Sequence, residues 1–203
     1  YKVFYNQATD NREIWSRQFS PEEVGGLENR MNTTTQKTFS ITTGLQGRLG
    51  ENWDWEAAYN HSQYKADVAM PRINAAAANV YFLGPLLGYT SYAIYNPDPA
   101  KLFSPVSPAD FATFGVMSTF KPKADNDNLN LTFSNSALFT LPAGNVGFAG
   151  TVEYGQQSYA INPDPLALTE DAYYGPRYGD GSGERDRWSS AGELRLPLLD
   201  SLQ

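Results

Sequence analysis

The chain has 203 residues, of which 41% are hydrophobic and 14% aromatic, and this composition is too apolar for a disordered protein. Its net charge of −7 is not offset by any block of basic residues, which argues against nucleic acid as a partner. The sequence contains no cysteine, so disulfides, thiolate metal sites and cysteine nucleophiles are excluded.

The first part of the chain predicts a partial strand at residues 1–6, a loop at 7–36 and then a hairpin. Apolar and polar residues alternate from residue 37 to 49, and the alternation resumes from residue 53 to 66 after the turn Gly50-Glu51-Asn52. A period of two is typical of a strand with one apolar face.

The second part of the chain predicts three more long strands with the same alternation. Short turns of about four residues join the strands at one end, whereas long loops join them at the other. The predicted strands are residues 129–141, 146–161 and 187–198, and the predicted long loops are residues 67–128 and 162–186.

The tetrapeptide Asn-Pro-Asp-Pro occurs twice, at Asn96–Pro99 and Asn162–Pro165, inside or at the border of these long loops. Proline lacks an amide donor and disfavours a helical residue before it, so each copy predicts the end of a regular element. Ser20-Pro21-Glu22-Glu23 and Ser107-Pro108-Ala109-Asp110 carry helix-start signals and predict short helices within the loops.

Strands of ten to fourteen residues with one apolar face, short turns at one end and long loops at the other are typical of an outer-membrane β-barrel. Strands in a soluble sandwich are usually about five or six residues long. The polar face carries charged residues such as Asp54, Glu56 and Glu153, which favours a water-filled interior. The predicted fold is therefore all-β: an antiparallel meander in the wall of a large transmembrane β-barrel, with long external loops that contain short helices.

The number of predicted strands limits how such a barrel could close. Single-chain barrels begin at about eight strands, and the open sheet edges of a smaller wall would not be tolerated in lipid. We therefore expect the chain to be a segment from the wall of a larger barrel in the bacterial outer membrane, or a longer protein observed only in part.

Several runs of the chain resemble the barrel region of TonB-dependent outer-membrane receptors. They are Phe148–Gly155, the NPDPLAL motif at Asn162–Leu168, Tyr173–Gly175, Gly181–Gly183 and Arg185–Leu198. The resemblance implies a 22-stranded barrel around a plug domain, and energised uptake of a scarce ligand such as a siderophore, vitamin, oligosaccharide or peptide. The partners that the resemblance implies are outer-membrane lipid, the remaining barrel, a plug domain and the TonB energy-coupling system. We expect neither enzymatic activity nor a cofactor.

Four residues of the loop at 162–186 are the candidate ligand contacts: Tyr173, Tyr174, Arg177 and Tyr178. Aromatic faces stack on flat ligands and an arginine pairs with carboxylates. The alternative is that these tyrosines pack among themselves.

Two other features of the sequence are possible sites of chemistry. The segment Gly179–Asp186 places three carboxylates in a glycine-rich bend, but its spacing is not that of an EF-hand, so a solvated loop is favoured over an ion site. The single histidine, His61, has no catalytic pattern around it and is interpreted as a pore-lining or interfacial residue. No catalytic or metal-binding residue is predicted.

Two alternative functions use the same sequence pattern. A passive porin would share the barrel without energy coupling. A soluble extracellular all-β module would use its loop tyrosines to hold carbohydrate. Enzymatic activity is the least favoured function.

Overall fold

A computed structural model describes residues 2–175 and 177–198 of the chain. These residues are 56% strand and 13% helix, which confirms the prediction of a mainly β fold. They fold as two compact units, which we name the wall unit and the loop unit. Among the described residues, the wall unit comprises Gln36–Ala66, Pro122–Ile161 and residues 181–198, and the loop unit comprises residues 2–35, Asp67–Lys121 and the described part of residues 162–180.

The strands differ widely in length. They are β1 Phe4–Asn6, β2 Asn11–Glu13, β3 Thr33–Leu49, β4 Trp53–Asn74, β5 Gly88–Tyr89, β6 Ala93–Tyr95, β7 Gly115–Phe120, β8 Lys123–Leu141, β9 Gly144–Ala160, β10 Tyr173–Tyr174 and β11 Ser182–Arg195. The α-helices are α1 Ala75–Leu83, α2 Pro99–Phe103, α3 Pro108–Phe111 and α4 Pro165–Leu168, and a 3-10 helix covers Leu27–Arg30.

The wall unit is a meander of long strands in the order β3, β4, β8, β9 and β11. The pairs β4–β8, β8–β9 and β9–β11 are antiparallel. Two turns are short because a glycine takes a backbone conformation that other residues rarely adopt: Gly50 has φ 63° and Gly144 has φ 136°. The predicted long strands and their tight turns are therefore present.

The long strands extend beyond the predicted bounds, so the predicted loops at 67–128 and 162–186 are too long. β4 continues to Asn74, β8 begins at Lys123 and β11 begins at Ser182. The polar segments at these strand ends resemble turns in the sequence, because Asn and Asp are depleted in strands. Cross-strand hydrogen bonds hold them in the sheet, as when Gln63 Nε2 donates to an Asp125 carboxylate oxygen at 2.6 Å.

The partial strand predicted for the wall at residues 1–6 belongs to the loop unit instead. Here β1 lies in a separate four-stranded sheet of order β2-β1-β6-β5, and it pairs in parallel with β6. Phe4 is only 3% exposed because its ring packs edge-to-face against Trp15 and Tyr95. An aromatic side chain with this much area to bury fixes the segment in its own small core.

The loop unit has a hydrophobic core of its own, which a set of surface loops would lack. Its centre is Phe114, which is 0% exposed and contacts the rings of Phe19, Tyr81, Phe82 and Phe111 at centroid distances of 5.2 to 5.8 Å. The prediction of a single wall segment with attached loops therefore understated how far the loop residues fold together.

The repeated Asn-Pro-Asp-Pro motif starts a short helix in both places. Asp98 caps α2 by accepting a hydrogen bond from the Ala100 amide at 2.9 Å, and Asp164 caps α4 by accepting one from the Leu166 amide at 2.9 Å. The second proline of each motif is the first helical residue, where its missing amide costs no hydrogen bond. The motif therefore ends one element and begins another.

Candidate functional site

The register of the wall unit sorts its side chains onto two faces. Tyr59, Leu129, Tyr154 and Trp188 are register partners across β4, β8, β9 and β11. Residues directly opposite one another in an antiparallel pair point to the same face, so these four form a row. The next two rows lie two and four residues further along each strand. They are Ala57, Leu131, Val152 and Ser190, and Trp55, Phe133, Gly150 and Gly192.

The apolar face formed by these rows is exposed. Leu45 is 72% exposed, Leu131 41%, Leu194 51% and Trp188 73%. Side chains of this kind normally lie in a core, and a contiguous exposed set of them marks an interaction surface. The wall unit thus presents an apolar sheet face to its surroundings.

Aromatic residues border this apolar face at both ends. At the loop-side border the hydroxyl of Tyr59 donates to Asp127, and the hydroxyl of Tyr154 donates to Asp186 at 3.0 Å. At the turn-side border the Trp53 ring contacts Phe133 and Phe148 at 6.3 and 6.1 Å. Tyr and Trp concentrate at such borders because each has an apolar body and a polar group.

The opposite face is polar and internally hydrogen-bonded. Glu153 is the centre of a network in which Asn128 Nδ2, Arg187 Nη2 and Ser189 Oγ donate to its carboxylate at 2.9, 2.9 and 3.0 Å. Asn60 Nδ2 donates to Thr42 Oγ1 at 2.8 Å between β4 and β3. The charged and hydrogen-bonding side chains of this face suit contact with water.

The register separates the predicted apolar and polar faces as expected. Leu131 lies opposite Val152 and Phe148 lies opposite Leu194, whereas Thr132 lies opposite Thr151 and Glu153 opposite Ser189. A shift of one residue in the register of any strand would invert this separation.

The two minor candidates of the sequence have structural roles in the wall unit. His61 lies just beyond the Tyr59 row, and its Nδ1 is 2.9 Å from an Asp127 carboxylate oxygen. The second part of the segment Gly179–Asp186 is strand β11, where Glu184 accepts a hydrogen bond from Gln156 and Asp186 one from Tyr154. No cluster of three or more His, Cys, Asp or Glu side chains that could hold a metal occurs among the described residues.

The loop unit contains a cavity of about 620 Å³. Aromatic side chains form much of its wall, and the cations Lys2, Arg17 and Arg30 line it together with them. The remaining lining includes Asn79, from the middle of α1, and Leu83, from the end of that helix. Cavities of roughly 300–1,000 Å³ are the usual size of sites for small molecules.

One wall of the cavity is fixed by Arg17. Its Nη1 donates to the carbonyl oxygens of Leu102 and Ser104 at 3.0 and 2.6 Å, and its Nη2 forms an ion pair with Glu23. Hydrogen bonds from the backbone amides of Val106 and Ser20 hold the pKa of Glu23 below its usual range, and the Arg17 charge adds to this effect. Both side chains are largely buried, at 13% and 11% exposure, so this pair ties three loop segments together.

The four predicted ligand contacts do not share one site. Tyr174 lines the cavity, and its hydroxyl donates to the side-chain oxygen of Asn79. Tyr173 is its neighbour in β10, but its hydroxyl donates to Asp164 at 2.8 Å. Tyr178 packs over the guanidinium of Arg72 at 4.5 Å, and Arg177 is exposed.

The burial of the two β10 tyrosines raises the pKa of each phenol, and for Tyr173 the hydrogen bond to Asp164 adds to this effect. Both phenols are therefore neutral hydrogen-bond donors near neutral pH. The prediction that Tyr173, Tyr174, Arg177 and Tyr178 bind ligand stays a prediction.

The sequence did not single out the other residues of the cavity. Trp15, Phe19 and Arg30 come from the predicted loop at 7–36, and Phe82 comes from the predicted loop at 67–128. The signal that could have found them is the density of aromatic residues in these segments, which is high for solvated loops.

The described helices include none that is long and apolar enough to cross a bilayer. Comparisons with protein-family models, curated proteins and solved structures found no match for this chain.

Proposed function

We propose that this protein is an outer-membrane nutrient transporter, and that the wall unit is part of a transmembrane β-barrel of the TonB-dependent receptor type. The observation that carries the proposal is the exposed apolar face of the long-stranded sheet, bordered by aromatic side chains at both ends. An outer-membrane barrel has an outward apolar band flanked by aromatic girdles.

The dimensions of the apolar face agree with a bilayer. From Val146, whose own side chain is buried at the turn-side end, to Tyr154 the apolar face extends about 26 Å along β9 at 3.3 Å per residue, or about 20 Å along the membrane normal at a tilt near 40°. Within the wall unit the strands are 14 to 19 residues long, whereas about 9–11 residues suffice to cross the hydrocarbon. The remaining length, which carries the polar pairs of His61 and Asp127, would project beyond the bilayer.

The sheet edges indicate what else the transporter contains. Among the described residues, β3 pairs with β4 alone and β11 pairs with β9 alone. These two outer strands therefore each have one unpaired edge. Unpaired backbone groups are too costly in hydrocarbon, so further strands of the same barrel would pair with both edges. The remaining barrel, a plug domain, lipid and the TonB system are the proposed partners, and a small nutrient is the proposed ligand.

The loop unit favours a receptor over a passive porin. Its separate core around Phe114 and its cavity give it the means to hold a ligand, which diffusion through an open pore does not need. A soluble carbohydrate-binding module is less favoured, because its apolar sheet face would be buried against a second layer.

The experiment places the full-length protein in a planar bilayer and measures conductance. A plugged receptor inserts, migrates on unheated gels as a compact barrel and shows no steady open channel. A steady channel would favour the porin, and failure to insert would favour the soluble module. Uptake by cells, measured with and without an uncoupler of the proton gradient, then tests energy coupling.

A further inference from the structure

We infer that the cavity of the loop unit binds a small aromatic carboxylate. This inference rests on the proposed function, because it names the chemical class of the ligand that the transporter captures. It follows from the shape of the cavity, the aromatic side chains around it and the sign of the charges that line it.

The cavity has the lining expected for a flat apolar ligand. Its volume is about 620 Å³, and the rings of Trp15, Phe19, Phe82 and Tyr174 contribute to its wall. Aromatic faces and edges stack favourably on a planar ligand and cost little conformational entropy. The same unit has a tightly packed core around Phe114, so the cavity does not result from loose packing throughout the unit.

The charge of the lining has one sign. Lys2, Arg17 and Arg30 line the cavity, and none of its described lining residues is Asp or Glu. This wall therefore offers a cationic ligand no carboxylate to pair with. An anionic ligand would gain from it, most strongly if it carries a carboxylate that a guanidinium can bind through two hydrogen bonds.

The contacts of the three cations show which one is available. Arg17 is committed to Glu23 and to two backbone carbonyl oxygens, and Lys2 is paired with Asp171. Arg30 lies over the Phe111 ring at 5.8 Å and forms no ion pair with any described carboxylate. Arg30 is also exposed, so a ligand entering the cavity can reach its guanidinium.

Two polar groups of the aromatic wall already have partners. Trp15 donates its Nε1 hydrogen to Glu13 at 2.8 Å, and the side-chain oxygen of Asn79 accepts the Tyr174 hydroxyl. An aromatic body with one carboxylate satisfies both the apolar wall and the free cation.

The test is a calorimetric titration of the full-length protein in detergent with 2-naphthoate and, separately, with the neutral 2-naphthamide. Detergent holds the protein in solution whether or not it spans a bilayer, so the result does not depend on transport. We expect 2-naphthoate to bind about tenfold more tightly than 2-naphthamide, and Arg30→Gln to remove this preference.

The matched control is Arg12→Gln. Arg12 also lies 5.8 Å from an aromatic ring, that of Tyr92, but it does not line the cavity. This variant should keep the preference for the anion. Gln18→Trp, at an exposed position of the lining, should fill the cavity and weaken both probes.

Equal binding of the two probes, or a loss of preference in both arginine variants, would overturn the inference. Full binding by the Gln18→Trp protein would show that the probes bind elsewhere and would overturn it as well. Anion-selective binding by a protein that fails to insert into bilayers would leave the cavity site standing and refute the transport function. Insertion into bilayers without binding of the probes would leave the transport function standing and refute the cavity site.

Discussion

Replacing Val152 by arginine tests which face of the sheet meets lipid. Val152 lies opposite Leu131 on the apolar face, one row from the Tyr59–Tyr154 border, whereas the adjacent Thr151 lies opposite Thr132 on the polar face. The two positions share a strand and a depth and differ in the side of the sheet. Thr151→Arg is therefore the matched control.

The expected cost follows from the depth of Val152. Two residues along β9 from Tyr154 place Val152 about 7 Å from the border, or about 5 Å along the membrane normal, whereas the midplane lies about 10 Å from the border. Arginine on the lipid face costs roughly 2–4 kcal/mol at the midplane and about 0–1 near the interface. For Val152→Arg, halfway between, we expect a loss of about 2 kcal/mol in the free energy of unfolding. For Thr151→Arg we expect less than about 1 kcal/mol.

The assay is reversible unfolding of the full-length protein in phospholipid vesicles by denaturant, followed by tryptophan fluorescence and by mobility on unheated gels. The slope of free energy against denaturant should stay the same in both variants, so that the midpoints report stability. Equal losses in the two variants, or a larger loss for Thr151→Arg, would refute the assignment of the faces.

Three further predictions concern single features of the structure. Phe114→Ala should cost the loop unit about 3–5 kcal/mol because it empties the centre of a packed ring cluster; limited proteolysis should show the loop unit cleaved while the heat-resistant barrel persists. Because the native pKa of Glu23 is lowered, its carboxylate stabilises the loop unit above the ordinary carboxyl pKa, and this contribution is lost as the pH falls through the lowered value. Proteolysis rates measured against pH should show that loss, and Glu23→Gln should flatten the profile in this range. A methyl group at Gly44 would lie 2.9 Å from the Ala57 carbonyl oxygen, so Gly44→Ala should cost roughly 1–3 kcal/mol in the same unfolding assay, whereas Gln46→Ala, on the same face, should cost little.

The sequence predicted the wall unit better than the loop unit, for a physical reason. Alternation with a period of two is a local property of each strand, so the faces of β8 and β9 could be assigned from residues such as Leu131 and Val152. The ends of the strands could not be predicted in this way. Asp125 and Asn126 are held in β8 by hydrogen bonds to Gln63 and Gln157, which lie far from them along the chain.

The cavity was beyond sequence reasoning for a related reason. Trp15, Arg30, Phe82 and Tyr174 are distant in the chain, and only the tertiary contacts of the loop unit bring them together. The prediction at Tyr173, Tyr174, Arg177 and Tyr178 assumed that neighbours in sequence share a site. Adjacent residues of a strand point to opposite sides, and Tyr173 and Tyr174 accordingly have different partners.

The most direct test of the proposed membrane wall is the quenching of a single tryptophan by lipids with brominated acyl chains. One full-length variant keeps Trp188, which is 73% exposed on the apolar face, and a second carries Trp188→Phe with Arg187→Trp on the polar face. In both variants the other tryptophans of this chain are replaced by phenylalanine. We expect strong quenching of the tryptophan at position 188 and weak quenching at position 187. Equal quenching at the two positions, or stronger quenching at 187, would contradict the proposal that the apolar face meets lipid.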